Sequence, residues 1–468
     1  MTQTSSQTSS QTSSQASSQA SSQATHNPVA PASQSRRNIL LFGMMALLLC
    51  FVGVVQSWNV TFSLLNMCLI SAIMALGLNI QWGYAGLFNV GVMGFAALGG
   101  LAGVLVSEAP VSAAWAAGGV GIVGGLIAGL ATILAGLAVW RRTGMRGRHR
   151  YWLTGLTVLV GYTVMRLIID PAVSAIEAID PARAGFLGGA GMPIIFSWAV
   201  GGIFAASVAW VVGRISLGLR SDYLAIATLG ISEIIIYFLK FEDWLTRGVK
   251  NVAGLSRPVP YEVDLNKSAQ FQDFAASLGL SVVDASSLVV KISYAILFTL
   301  VLLVILWLCE TALRSPWGRM MRAIRDNETA ASAMGKDVTS RHLQVFVLGS
   351  AVVGIAGAML TTLDGQFTPT SYQPLRFTFL IWVMVIIGGS GNNWGAVLGG
   401  FLIWFFWIEA EPMGLWAMDA LTSGMPDGHW LREHLLDSAA HTRLMTMGLV
   451  LLLVLRFSPR GLIPEVKR

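Results

Sequence analysis

Nothing in this chain limits its fold more than the recurrence of apolar runs about 20 residues long. They fall near 38–57, 60–80, 84–106, 112–140, 151–169, 194–213, 222–241, 288–309, 343–363, 375–389, 395–411 and 441–457. A helix of that length crosses the hydrocarbon core of a bilayer. Lipid offers no partner to a bare N–H or C=O, so each run is read as an α-helix. Only 12% of residues are charged, against roughly 25% in soluble domains. The expected fold class is all-α, a polytopic transmembrane helical bundle of about 10–12 spans. Run 375–389 is short and reads as broken or re-entrant. Runs 60–80 and 84–106, parted only by Gln81-Trp82-Gly83, read as one interrupted element.

Basic residues set the expected orientation. With the N-terminus inside, Arg36 and Arg37, the loop Arg141–Arg150, Arg214 and Arg220, the stretch Arg314–Arg341, and Arg456 onward all fall on one side. Acidic Asp170, Glu177, Asp180, Glu409, Glu411 and Asp427 fall on the other, with the long polar stretches 242–287 and 412–440. The formal charge of +6 is therefore orientation, not nucleic-acid binding. Residues 1–35 repeat Ser and Gln and carry no Lys, Arg, Asp or Glu, so they are expected to be a disordered tail before a membrane domain over 36–468. Cys50, Cys68 and Cys309 all sit in apolar runs and read as small lipid- or core-facing residues.

The stretch Glu310–His342 is the polar exception between two spans. Ser315-Pro316 starts a helix, the spacing from Trp317 to Met334 suits a helix, and Gly335 ends it. Met320, Met321, Ile324 and Met334 offer apolar contacts, and Arg319, Arg322 and Arg325 form a basic edge. Glu328 follows, then small Ala330, Ala331 and Ala333. Such a helix suits a groove on a cytoplasmic partner. It equally suits anionic lipid, and periodicity does not separate the two.

Two Gly-rich stretches, Gly77–Gly103 and Ile386–Gly400, permit close packing or broken helices. Asn79, Gln81, Tyr84, Asn89, Asn392 and Asn393 lie in them and could bond a zwitterionic or amide substrate along a translocation path; they could equally be interhelical glue. Glu233 is the carboxylate placed plainly mid-span, a functional candidate counted with the path residues, whereas Asp222, Arg166 and Lys291 sit near span ends. The chain has no GxxxxGK[ST] phosphate loop, no HExxH and no CxxC pattern, so neither ATP binding by this chain, nor a metal or redox cofactor, nor enzymatic catalysis is expected.

Seven blocks then occur in order: GLNIQWGYAGLFNVG, LGLRSDYLAIATLGISEII, LTRGVKNVAGLSRP, RSPWGRMMRAIRDNETAASAMGKDV, VLGSAVVGIAGAML, GGSGNNWGAVLG and LRFSPRGLIPE. Together they resemble the LivM-type permease of branched-chain amino acid ABC transporters. The resemblance implies an ABC importer permease fold in a bacterial inner membrane, importing Leu, Ile and Val, with urea, short amides or other amino acids as the alternative cargo. It implies a LivH-like second permease, cytoplasmic ATPase subunits that bind the ATP, and a periplasmic binding protein. It also implies that 310–342 is the cytoplasmic coupling loop, with Ala330, Ala331 and Gly335 at matching positions, Thr329 where the general motif has Glu, and Glu328 before it. The chain departs from the pattern in Arg247 and Lys250, in the longer stretch 107–213 and in the tail. An ion-coupled secondary transporter working through Glu233, or a membrane scaffold with no path, would be the readings of another class.

Overall fold

A computed structural model describes residues 31–142, 148–180, 185–426 and 429–465. Most of the Ser/Gln tail, the middle of the Arg141–Arg150 loop, Asp427 and the final three residues lie outside the described residues. The principal helices are α1 (Pro31–Val55), α2 (Trp58–Asn79), α3 (Val92–Ser107), α4 (Val120–Arg142), α5 (Arg148–Glu177), α6 (Phe196–Ser216) and α7 (Ser221–Phe241). After them come α8 (Val282–Arg314), α9 (Pro316–Asp326), α10 (Glu328–Ala333), α11 (Val338–Asp364), α12 (Pro374–Gly388), α13 (Asn393–Thr422) and α14 (Thr442–Phe457). The two strands β1 (Val252–Ala253) and β2 (Gln366–Phe367) pair antiparallel.

Each of the twelve apolar runs contains a helix. Among the described residues nine helices are long and apolar enough to cross a membrane, and α14 with the short helix Trp430–Ser438 makes a bent tenth. α3 and α12 are shorter apolar helices. This is a multi-pass membrane protein.

From α2 onward, packing contacts set the direction of each helix. Gly77 lies against Val353 and Gly349, and Gly213 lies against Leu343, so α2 and α6 both run antiparallel to α11. Gly388 meets Gly395, which turns α13 back along α12. In lipid there is little hydrophobic gain from joining two apolar helices, so close van der Waals contact must hold them. The tightest case is α3, α6 and α11. A Cβ on Gly99 would overlap the carbonyl of Gly354, and one on Gly354 would come within 2.5 Å of the Gly201 carbonyl.

α4 and α5 form a hairpin of their own. Gly118 packs on Ala172 and Ile176, and Gly125 on Ile169. Ile127, Leu130 and Leu159 on its outer faces are exposed, as lipid-facing side chains are. The hairpin joins the rest through a cluster that includes Ala114, Ile176, Leu187 and Trp244.

Three local expectations are corrected. The break in the first Gly-rich stretch is not at Gln81-Trp82-Gly83: α2 continues through a π-turn, Ile80–Tyr84, and the chain leaves the helix only over 85–91. A π-turn widens the helix by one residue and needs no glycine pair to start. The single helix expected from Trp317 to Met334 is two, because Asn327 adopts an extended backbone (φ −157°, ψ 95°) and caps α10 from outside. The run 395–411 does not stop at its expected end, since α13 carries Pro412 in its interior and runs on to Thr422.

Candidate functional site

The polar stretch Glu310–His342 divides into a part that grips the spans and a part that faces outward. In α9, Gly318, Met321 and Ile324 are buried. Arg319 Nη1 donates to the carbonyl of Arg314 at 3.4 Å and Arg322 Nη2 to that of Leu313 at 3.4 Å. Both carbonyls belong to the end of α8, where the helix dipole favours cations. Trp317 Nε1 donates to Gln344 of α11 at 3.2 Å. In α10, Glu328, Ala330 and Ala333 are exposed and Ala331 is buried. Gly335 takes the left-handed conformation (φ +74°), and Lys336 N donates to the Ala331 carbonyl at 3.2 Å. That pairing is a Schellman end, which leaves the neighbouring Met334 80% exposed.

Arg325 reaches further than its two neighbours. Its Nη1 donates to the carbonyl of Gly83 in the π-turn. Its Nη2 pairs with Glu465 at 2.9 Å and with Asp326 at 3.3 Å. Glu465 is brought there by the stretch 461–465, which lies along the break after α12: Leu462 N donates to the Ile387 carbonyl and Ile463 N to that of Gly388, both at 2.8 Å. Gly391 closes this junction. Its φ is +82°, and a Cβ on it would stand 2.9 Å from Glu465 Oε2 and 3.1 Å from Arg325 Nη1.

A buried polar network holds the two breaks together above this junction. Asn79 Nδ2 donates to Asn393 Oδ1 at 3.2 Å, and Gly391 N donates to Asn79 Oδ1 at 2.9 Å. Tyr84 donates its hydroxyl proton to the same Asn393 oxygen, and Asn393 Nδ2 donates to Glu310 at 3.0 Å. Asn89 Nδ2 donates to Gln81 Oε1 at 2.8 Å, and Gln81 Nε2 to the Phe346 carbonyl at 2.9 Å. Trp382 Nε1 donates to the Asn89 carbonyl at 3.0 Å, and the Trp382 ring packs against Trp82 and Phe88. Asn392 caps α13 and donates from Nδ2 to the Pro464 carbonyl at 3.2 Å. Non-helical backbone at membrane depth persists only where protein groups or water satisfy it, and these side chains do so here.

Of the residues singled out from sequence, Asn79, Tyr84, Asn89, Asn392 and Asn393 therefore gather at the end of the spans that α9 covers. Glu233 stands apart on α7, on the wall of a separate cavity of about 420 Å³. Arg166 pairs with Asp170 at 3.1 Å, and Lys291 Nζ donates to the Asn59 carbonyl at 3.0 Å. Glu310, Gly83 and Gly391 belong to the site without having been singled out. Their signal was faint: a carboxylate in the last turns of a 33-residue helix, a glycine between Trp82 and Tyr84, and a glycine next to Asn392.

The family model for the permease component of branched-chain amino acid transport systems matches residues 153–455, well over half the chain. The chain belongs to this family. The match begins inside α5, so α4 lies ahead of it. The chain is similar to the high-affinity branched-chain amino acid transport system permease proteins LivM of Escherichia coli and Salmonella typhimurium, each 26% identical over 317 residues, 67% of this chain and 67% of theirs. It is also similar to a probable LivM of Methanocaldococcus jannaschii, 26% identical over 269 residues, 56% of this chain and 67% of that one. No solved structure matches.

Proposed function

We propose that this permease is the LivM-type membrane subunit of an ATP-driven importer of branched-chain amino acids. It lies in a bacterial inner membrane with its N-terminus and coupling segment cytoplasmic. A LivH-like permease completes the membrane part, cytoplasmic ATPase subunits bind the ATP, and a periplasmic binding protein delivers Leu, Ile or Val.

The observation that carries this reading is Arg325. One side chain joins the cytoplasmic segment to the π-turn of α2 and, through Glu465, to the break after α12. The exposed face of α10, with Glu328, Ala330 and Met334, is what an ATPase cleft would take. Movement of that face reaches α9, which Arg319 and Arg322 fix to α8, and passes through Arg325 to both breaks. The polar residues there, Asn79, Tyr84, Asn89, Asn392 and Asn393, then act at the inner end of the translocation path. Such coupling requires two states with different contacts, and the two helix breaks are where the chain can rearrange.

The test is uptake of labelled leucine into vesicles that carry all partner subunits, with wild type, Glu328→Arg and Gly335→Trp. Uptake that needs ATP, and is lost in variants that still assemble, is the expected result. Uptake that follows a proton gradient without ATP would overturn the proposal.

A further inference from the structure

A cavity of about 570 Å³ along α8, lined by Phe62, Ile292, Leu300 and Trp307, is apolar and of the kind lipid chains fill. The cavity beside α7 differs in kind. Its volume of about 420 Å³ is bounded by Glu233, Tyr237 and Lys240 of α7 and by Thr370, Gln373 and Arg376 at the head of α12. It thus carries one carboxylate and two cations.

Its place is the end of the spans opposite the coupling segment. Lys240 closes α7, Arg376 opens α12, and the paired strands β1 and β2 lie beside them in sequence. Glu233 is two turns deeper, about 10 Å below Lys240 at 1.5 Å per residue. Seven residues apart on one helix, the two stand on the same face. The Lys240 ammonium lies 5.5 Å from the centre of the Tyr237 ring, which turns the side chain back along α7 toward Glu233.

None of these charges has an ion-pair partner among the described residues. Among the described residues Glu233 and Arg376 have neither an ion-pair partner nor a hydrogen bond. Arg376 is steadied instead by the Trp407 ring, with its guanidinium carbon 4.8 Å from the ring centre, a contact that uses the face of the group and leaves its N–H donors free. A carboxylate within a span, as Glu233 is, is costly and pairs with something. A simple anion would answer the cations and leave Glu233 bare, and a simple cation would do the reverse. A molecule with both charges answers all three groups, while Ile236 and Leu375 offer apolar wall to its side chain.

We propose that this cavity binds a zwitterionic amino acid, with the carboxylate toward Lys240 and Arg376 and the ammonium toward Glu233. The inference rests on the transport reading above and gives the substrate its first stop within the membrane part. The cavity is of the size that holds small ligands, roughly 300–1,000 Å³.

The test uses the complete complex with all partner subunits and a diazirine analogue of leucine as photolabel. Label is expected on 233–240 and 369–376, reduced about tenfold by excess leucine. Neither 3-methylbutylamine, which lacks the carboxylate, nor 4-methyl-2-oxopentanoate, which lacks the ammonium, should compete. Glu233→Gln and Arg376→Gln should each cut labelling and leucine uptake by about tenfold or more, as when a charge-assisted bond is lost. Both should still assemble and hydrolyse ATP when the loaded binding protein is added, and Glu233→Asp should recover part of the uptake. Labelling elsewhere, or labelling and uptake unchanged in both variants, would overturn the cavity assignment alone. Equal competition by the amine or the keto acid would overturn the zwitterion. A wild-type complex that shows no ATP-dependent leucine uptake would overturn the transport reading itself, a separate outcome.

Discussion

Arg325 is the side chain on which most of the proposed coupling turns. It is 23% exposed, as is Glu465, so their pair is partly shielded from solvent screening. Arg325→Gln leaves Glu465 and the Gly83 carbonyl without their donor. We expect a loss of about 1–3 kcal/mol in stability, read as a lower midpoint of thermal unfolding in detergent. We also expect less leucine moved per ATP hydrolysed. The exchange Arg325→Glu with Glu465→Arg restores the ion pair but not the bond to Gly83. It should recover stability better than transport. Equal recovery of both would reduce Arg325 to a structural tie. Arg319 and Arg322 bond only carbonyls of α8 and are expected to act on the seating of α9 instead.

At the scale of elements, the small-residue contact of α3, α6 and α11 makes a prediction that hydropathy alone would not. Gly354→Val adds only apolar carbon, yet its Cβ would meet the Gly201 carbonyl and Ala205. The cost should be about 1–3 kcal/mol through overpacking. Gly155→Val on α5 meets nothing within 4 Å and should be near neutral. Comparative thermal unfolding of the two variants decides it. The spans themselves were legible, because apolar length is a property of consecutive residues and needs no partner to be read. Breaks were less so. Helical spacing runs unbroken from Trp317 to Met334, and only the capping habit of Asn, here bonded to Ala330 N at 2.9 Å, hints at a stop at Asn327. The departure at 85–91 was misplaced by a few residues for the same reason: a π-turn changes hydrogen-bond register without changing composition. Site residues divide likewise. Gly335 and the arginines of α9 announce themselves by local pattern, whereas the tie from Arg325 to Gly83 spans 242 positions and has no local signature.

For the whole molecule, the direction of each helix predicts which residues meet which side of the membrane. Met334, exposed beyond α10, belongs to the side of the coupling segment, and Val263, exposed in the stretch between α7 and α8, to the opposite side. With the native cysteines removed, Met334→Cys should react with an impermeant maleimide only in inside-out vesicles, and Val263→Cys only in right-side-out ones. Reaction of both from one side would contradict the alternation of spans from α7 to α11. The α4–α5 hairpin, which packs on itself and shows apolar faces outward, should bear substitutions at Ile127 or Leu159 to other apolar residues with little effect on uptake.

The meeting of Arg325 with Glu465 also sets a clock on the making of the protein. Arg325 leaves the ribosome 140 residues before Glu465, counting from 325 to 465. At roughly 5–20 residues per second that is an interval of about 7–28 seconds. Throughout it, α11, α12, α13 and α14 are still being made and placed in the membrane. The junction beneath the spans is thus assembled after the helices that it links, and a chain whose later spans failed to insert would present α9 with no Glu465 to hold it. Proteases or chaperones on that face would meet a half-tethered segment in the faulty chain and a closed one in the finished permease.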